Sequence, residues 1–207
     1  MEFDTIAGIA SGMGGGIGII RISGPEALKA AGAIFRTKKY LKDPKKEWNQ
    51  AYFEKKETHT IHYGMIVNED GSMLDEVMVL LMKAPRSYTC EDVVEIDSHG
   101  GPFLIQKILK RILHQGVRLA EPGEFTKRAF LNGRIDLAQA EAVMKMISSK
   151  GEFALESATK QLEGRVSGYI EEIRQEILHN MGYIEAALDD PEHYELDGFS
   201  EKLYDIL

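Results

Sequence analysis

The feature that most constrains the fold is a change of pattern near residue 121. Before it, apolar runs of strand length alternate with helical stripes and with turns bearing glycine or proline. After it, apolar residues recur at steps of three or four, the period of a helix, and nothing reads as a strand. Two units are therefore expected, residues 1–119 and 120–207. Charge breaks at the same place. Residues 1–120 hold 16 Lys and Arg against 15 Asp and Glu, while residues 121–207 hold 9 against 18. The second part is a poor nucleic-acid binder by itself, because phosphate contacts need cations.

The first part opens on a glycine loop, Ser11-Gly-Met-Gly-Gly-Gly16, which runs into an apolar stretch, residues 17–22, carrying Arg21. A pyrophosphate-binding loop follows a strand and opens a helix, so that the helix N-terminus faces the anion. Here the order is reversed, no register fits G-x-G-x-x-G, and G-x-x-x-x-G-K-S/T is absent from the 207 residues. The alternative for this loop is a surface segment ahead of an edge strand. Pro25 suits a first helical turn, and Ala27, Leu28, Ala31, Ile34 and Phe35 form an apolar stripe. Residues 36–56 hold eight Lys and Arg against three acids and read as a charged connection, with nucleic-acid contact as the sharper alternative.

Residues 60–67 and 76–82 read as two strands of a hairpin around Asn68-Glu-Asp-Gly-Ser72. A strand at 93–98, the turn His99-Gly-Gly-Pro102, an amphipathic helix at 103–115 stopped by Gly116, and a short strand at 117–120 follow. This mixture argues for an α/β or α+β domain. Beyond it, a short helix at 125–132 ends at Gly133. Asp136 with Gln139 forms an Asp version of the capping box for a helix to about Ser149. Residues 152–188 carry one long helical pattern, 189–197 an acidic linker, and Ser200 looks like a further N-cap with only two turns of chain after it. A chain cut short of its second part is the expectation there.

Glu95 is the sharpest candidate site residue. On a strand it shares a face with Val93, Asp97 and His99, and burying two unpaired carboxylates on a central strand is costly. A ligand with adjacent N–H donors, held by a bidentate carboxylate, is one reason for them; an exposed sheet face or an ion pair is the other. His99 lines a strand-to-helix turn, where a hydrogen bond to the turn backbone serves as well. His59 and His62 fall on opposite faces of a strand, which disfavours a metal site, and Asp75–Glu76 reads as solvated. Lys127, Arg128 and Arg134 concentrate positive charge after the boundary. One of them is placed to reach back to the first domain; helix-surface charge is the alternative. No catalytic residue and no metal ligand is assigned.

Hydrophobic content of 43% and charged content of 28% are ordinary for a globular chain, and no run of 18 apolar residues indicates a membrane span. Cys90 is the only cysteine, which excludes an intramolecular disulfide and a cysteine-based zinc site. With no signal-peptide pattern at the start, a reducing cytoplasmic location is expected.

Five stretches together resemble one family. They are Asp4-Thr-Ile6, Gly15-Gly-Ile-Gly-Ile-Ile-Arg-Ile-Ser-Gly-Pro25, Ser87-Tyr-Thr-Cys-Glu-Asp-Val-Val-Glu95, His99-Gly-Gly-Pro102, and the 21 residues Glu121-Pro-Gly-Glu-Phe-Thr-Lys-Arg-Ala-Phe-Leu-Asn-Gly-Arg-Ile-Asp-Leu-Ala-Gln-Ala-Glu141. The chain resembles the tRNA modification GTPases of the MnmE (TrmE) family over nearly its whole length. The resemblance implies an α+β chain. A mixed-sheet domain with packed helices, similar to folate-dependent aminomethyltransferases, binds folate and dimerises. The first part of an all-α helical domain follows, into which a Ras-like GTPase domain is inserted beyond these residues.

The resemblance also implies a site. Arg21, Glu95 and Arg134 match the positions that hold a tetrahydrofolate derivative (5-formyl- or 5,10-methylene-tetrahydrofolate) in the family. Many members have lysine at the last, an exchange that is not neutral where geometry matters. The glycine loop is placed to close over the ligand. Cys90 stands where the family usually has glycine, and the family's C-terminal cysteine motif is absent. GTP, Mg2+ and K+ are implied only for the missing GTPase domain. The implied partners are a second copy of the chain, the flavoprotein MnmG (GidA) in a heterotetramer, and tRNA, whose wobble uridine receives an aminomethyl-type group at C5. The rival readings are a free-standing folate-dependent one-carbon transferase and a purely structural dimerisation module.

Overall fold

The computed structural model describes residues 4–12, 14–42 and 48–193. The chain divides into two compact units, Met1–Arg134 and Ile135–Leu207. The middle of the charged connection (43–47), the end of the acidic linker (194–197) and the helix expected from Ser200 lie outside the described residues.

The first unit is built on one seven-stranded sheet. Its strands are β1 (Ile6–Ile9), β2 (Ile17–Ser23), β3 (Phe35–Arg36), β4 (Thr60–Val67), β5 (Met73–Met82), β6 (Val93–His99) and β7 (Arg118–Leu119), in the spatial order β3-β4-β5-β6-β2-β1-β7. Neighbours are antiparallel except β1 and β7, which run parallel. The helices are α1 (Ala27–Ile34), α2 (Lys38–Lys42), α3 (Pro102–Leu113) and α4 (Glu124–Leu131). Alternation along the strands sends Ile20, Ile22, Val79, Leu81, Val94 and Ile96 to one face, where they are buried with Ile105, Ile108 and Ile112 of α3 and with the apolar stripe of α1. The opposite side chains of β2, β5 and β6 are left for other work.

Several elements differ from the reading of the sequence. β2 is not an edge strand, since β1 and β6 flank it. β1 is only four residues long, yet it is stitched between β2 and β7. Pro25 sits in the turn before α1 rather than inside the helix. The charged connection is not plain loop. It carries β3, α2 and a 3-10 turn at Gln50–Tyr52, because its aromatics have a core to join. Phe53 lies 4.9 Å and Trp48 6.2 Å, centroid to centroid, from the fully buried Phe35, and Trp48 Nε1 donates to the Gly32 carbonyl at 2.8 Å.

The second unit is helical: α5 (Leu137–Ser148), α6 (Glu152–Leu162) and α7 (Arg165–Asp189). Asp136 and Gln139 form the expected capping box. The long helical pattern is two helices and not one. Gly164, with φ of +80°, takes the left-handed conformation and breaks it, after which the period resumes in α7. The pattern misled because a tight break can restart the apolar stripe almost in phase. No helix among the described residues is long and apolar enough to cross a membrane.

Candidate functional site

The antiparallel register of β2 and β6 sets Arg21 directly opposite Glu95, on the sheet face away from α1 and α3. Arg21 Nε lies 2.7 Å and Nη2 2.6 Å from Glu95 Oε1, with both side chains largely buried (26% and 16% exposed). The Arg21 guanidinium also lies over two rings, 5.4 Å from the centroid of Tyr88 and 5.5 Å from that of Phe125. Arg134 covers the Tyr88 ring as well, at 5.1 Å. Tyr88 thus joins the two cations, and its hydroxyl is bound to Thr126 of α4 at 2.9 Å. Of the two readings of Glu95 the structure shows the ion pair, made through Oε1 alone.

Phe125 reaches this place because Gly8 stands opposite Arg21 on β1. A Cβ at Gly8 would lie 3.4 Å from the Phe125 ring and 3.3 Å from Ala120 Cβ, so even a methyl there would crowd both. Residues 87–91 and α4 are held by a buried ionic cluster. Arg128, 2% exposed, donates to the Asp4 carbonyl at 2.7 Å and pairs with Asp4, Glu91 and Glu124. Glu91 also accepts from Ser23 at 2.6 Å, and Asn132 donates to the Thr89 carbonyl at 2.6 Å. Arg118 bonds Glu124 at 2.6 Å and draws its carboxyl down to about 2, against the opposing effect of burial. Arg128 therefore binds back to the first domain through Asp4 and Glu91, and Arg134 reaches it at Tyr88. Residues 120–134 pack with it, which places Arg134 in the sheet unit and not the helical one.

Asp97 shares the face of Glu95, two residues along β6. Burial, and then the Glu95 charge, raise its carboxyl above the usual range. His99 does not bond the turn backbone through its ring. Its Nδ1 lies 2.7 Å from Asp75 Oδ1, and Asp75 Oδ2 accepts from the His99 backbone N–H at 3.0 Å. Asp75 is thus buried (6% exposed) rather than solvated. A shallow cavity of about 270 Å³ continues along this end of the face, lined by Gly16, Ile17, Met78, Asp97 and His99 among others. A larger one, about 520 Å³, lies between α3 and the β4–β5 turn and contains none of Arg21, Glu95 or Arg134. Tyr88 and Phe125 escaped the sequence reading. Their aromatic type beside turn residues was the available signal, and the register that aims them was not.

The arrangement suits a planar, polar heterocycle. One carboxylate oxygen makes no bond to Arg21 and suits N–H donors, and two guanidinium groups, backed by the Tyr88 and Phe125 rings, suit carbonyls or carboxylates. The fold defines the class first: an α+β domain on one mixed, largely antiparallel sheet, followed by a helical domain. Residues 5–134 match the family model described as GTP-binding protein TrmE N-terminus, and residues 137–206 match the MnmE helical domain. A protein of Lachnoclostridium phytofermentans named tRNA modification GTPase MnmE is 52% identical over 206 residues, covering 99% of this chain and 43% of its own length. Proteins of the same name from Listeria welshimeri and Bacillus anthracis are each 48% identical, covering 98% and 100% of this chain and 42% of their own lengths. The chain belongs to the MnmE (TrmE) family of tRNA modification GTPases. It spans less than half the length of the curated relatives it matches.

Proposed function

We propose that this chain is the folate-binding and dimerising part of a GTP-hydrolysing tRNA modification protein. Arg21, Glu95 and Arg134 hold a tetrahydrofolate derivative, 5-formyl- or 5,10-methylene-tetrahydrofolate. Glu95 Oε2 accepts from the paired N–H donors of the pterin, Tyr88 and Phe125 back the guanidinium groups that face it, and Arg134 attracts the glutamyl carboxylates. The folate supplies the one-carbon unit of an aminomethyl-type group built on C5 of a wobble uridine. The work is shared with the flavoprotein MnmG in the cytoplasm. GTP, Mg2+ and K+ belong to a GTPase domain and not to these residues, which carry no P-loop sequence.

The observation that carries the reading is the Arg21–Glu95 pair, set among aromatic rings with one carboxylate oxygen to spare. Isothermal titration with 5-formyltetrahydrofolate tests it. Glu95→Ala is expected to abolish binding and Arg21→Ala to weaken it strongly. Unchanged affinity in both variants overturns the assignment.

A further inference from the structure

Asp97 Oδ1 is buried and has no hydrogen-bond partner among the described residues. A carboxylate oxygen in that position forfeits its hydration without replacement, which is costly unless something else meets it. The neighbours on the face cannot. The register puts Ile19 of β2 on one side of Asp97 and Met78 of β5 on the other, and neither side chain carries a donor. The charged groups around it are committed elsewhere. Arg21 is spent on Glu95, Glu76 of β5 pairs with Lys38 at 3.0 Å, and the His99 ring is bound to Asp75. Oδ1 is thus an acceptor short of a donor, beside a cavity and on the same face as Glu95.

Two residues along a strand separate Glu95 and Asp97 by roughly 7 Å. That is about the reach of a two-ring heterocycle lying along β6. If Glu95 takes the paired donors at the pyrimidine end of a pterin, Asp97 meets the other ring. In reduced pterins that ring bears N–H groups. In the fully oxidised form its nitrogens are acceptors only, and an acceptor facing a carboxylate is repelled. We propose that Asp97 is a ligand contact that reads the reduction state of the bound pterin, its carboxylate accepting a hydrogen bond from an N–H of the reduced ring. This inference rests on the folate reading above. The upward displacement of the Asp97 carboxyl by burial and by Glu95 agrees with a group that lacks a donor in the protein.

The test is titration of the chain with 5-formyltetrahydrofolate and with folic acid. The wild type is expected to favour the reduced compound by about tenfold or more, the value of one good hydrogen bond. Asp97→Leu, which suits the apolar neighbours Ile19 and Met78, is expected to lose about that factor for the reduced compound and little for folic acid. Asp97→Asn, whose amide both accepts and donates, is expected to bind the two compounds about equally, because its NH2 can donate to the ring nitrogen of the oxidised form. An unchanged reduced-to-oxidised ratio in Asp97→Leu overturns the inference, and Asp97→Ala is read the same way should the leucine variant fail to fold. Glu95→Ala separates the two claims. If it binds as the wild type does, the folate reading itself fails. If it loses binding while Asp97→Leu keeps the ratio, only the role of Asp97 fails.

Discussion

Arg21 reaches Glu95 with two nitrogens, and both meet the same oxygen: Nε at 2.7 Å and Nη2 at 2.6 Å from Oε1. An arginine and a carboxylate commonly pair through both oxygens in parallel. Here the one-sided contact holds the carboxylate in place and leaves Oε2 on the open face. The rings of Tyr88 and Phe125 supply the second restraint on the guanidinium. Arginine, carboxylate and rings thus form a fixed platform rather than a closed salt bridge.

Tyr88 is the member shared by both cations, so its ring and its hydroxyl are expected to separate under substitution. Tyr88→Phe keeps the ring beneath Arg21 and Arg134 and loses only the bond to Thr126. Stability should fall by about 1 kcal/mol, and 5-formyltetrahydrofolate affinity should stay within about twofold. Tyr88→Ala removes the surface under both guanidinium groups, each such contact being worth roughly 0.5–2 kcal/mol, so affinity should drop by about tenfold or more. Wild-type affinity in the alanine variant would show that the ring is no part of the binding platform.

Acid should loosen the corner that carries this platform. The Glu124 carboxyl stands at about 2 in the folded chain, against an ordinary 4.5, with the hydrogen bond from Arg118 the largest cause. A depressed carboxylate stabilises the fold above its unfolded value and loses that contribution as pH falls toward its folded one. Stability should therefore decline as pH drops from about 4.5 to about 2, by up to about 1.4 kcal/mol per pH unit for this one group. Denaturant unfolding across that window, in wild type and Glu124→Gln, checks the claim. The variant should be less stable at neutral pH and show a shallower slope; an identical slope would mean that Glu124 does not titrate as described.

The sequence made some of this legible and hid the rest for physical reasons. Alternation along residues 93–99 placed Glu95 and Asp97 on one face, and the order of glycine loop and strand removed a phosphate loop. The Asp136 capping box could be read because caps are local. The meeting of Arg21 with Glu95 could be named only from family resemblance, because register between β2 and β6 is a long-range property. Asp75 was misread as solvated because its partner, His99, lies 24 residues away. Arg128 could not be told from Lys127 and Arg134 as the cation that reaches back, because two of the carboxylates it pairs with, Asp4 and Glu91, are distant in sequence. β1 is too short to announce itself and exists because strands on both sides pair with it.

Cys90 stands two residues after Tyr88 and next to Glu91, in the turn that presents both. Its φ of +59° is left-handed, a conformation that costs a side-chain-bearing residue about 1–2 kcal/mol and glycine almost nothing. Glycine also frees the unfolded chain, which offsets roughly 0.5–1 kcal/mol of the gain. Cys90→Gly should therefore leave the chain as stable as wild type or raise its stability by up to about 1.5 kcal/mol. Cys90→Ala keeps the Cβ and its strain, so it should gain nothing. Urea unfolding of the three proteins decides the matter. The glycine variant must lie above the alanine variant, and the reverse order would mean that the thiol's packing, and not the backbone, governs this turn.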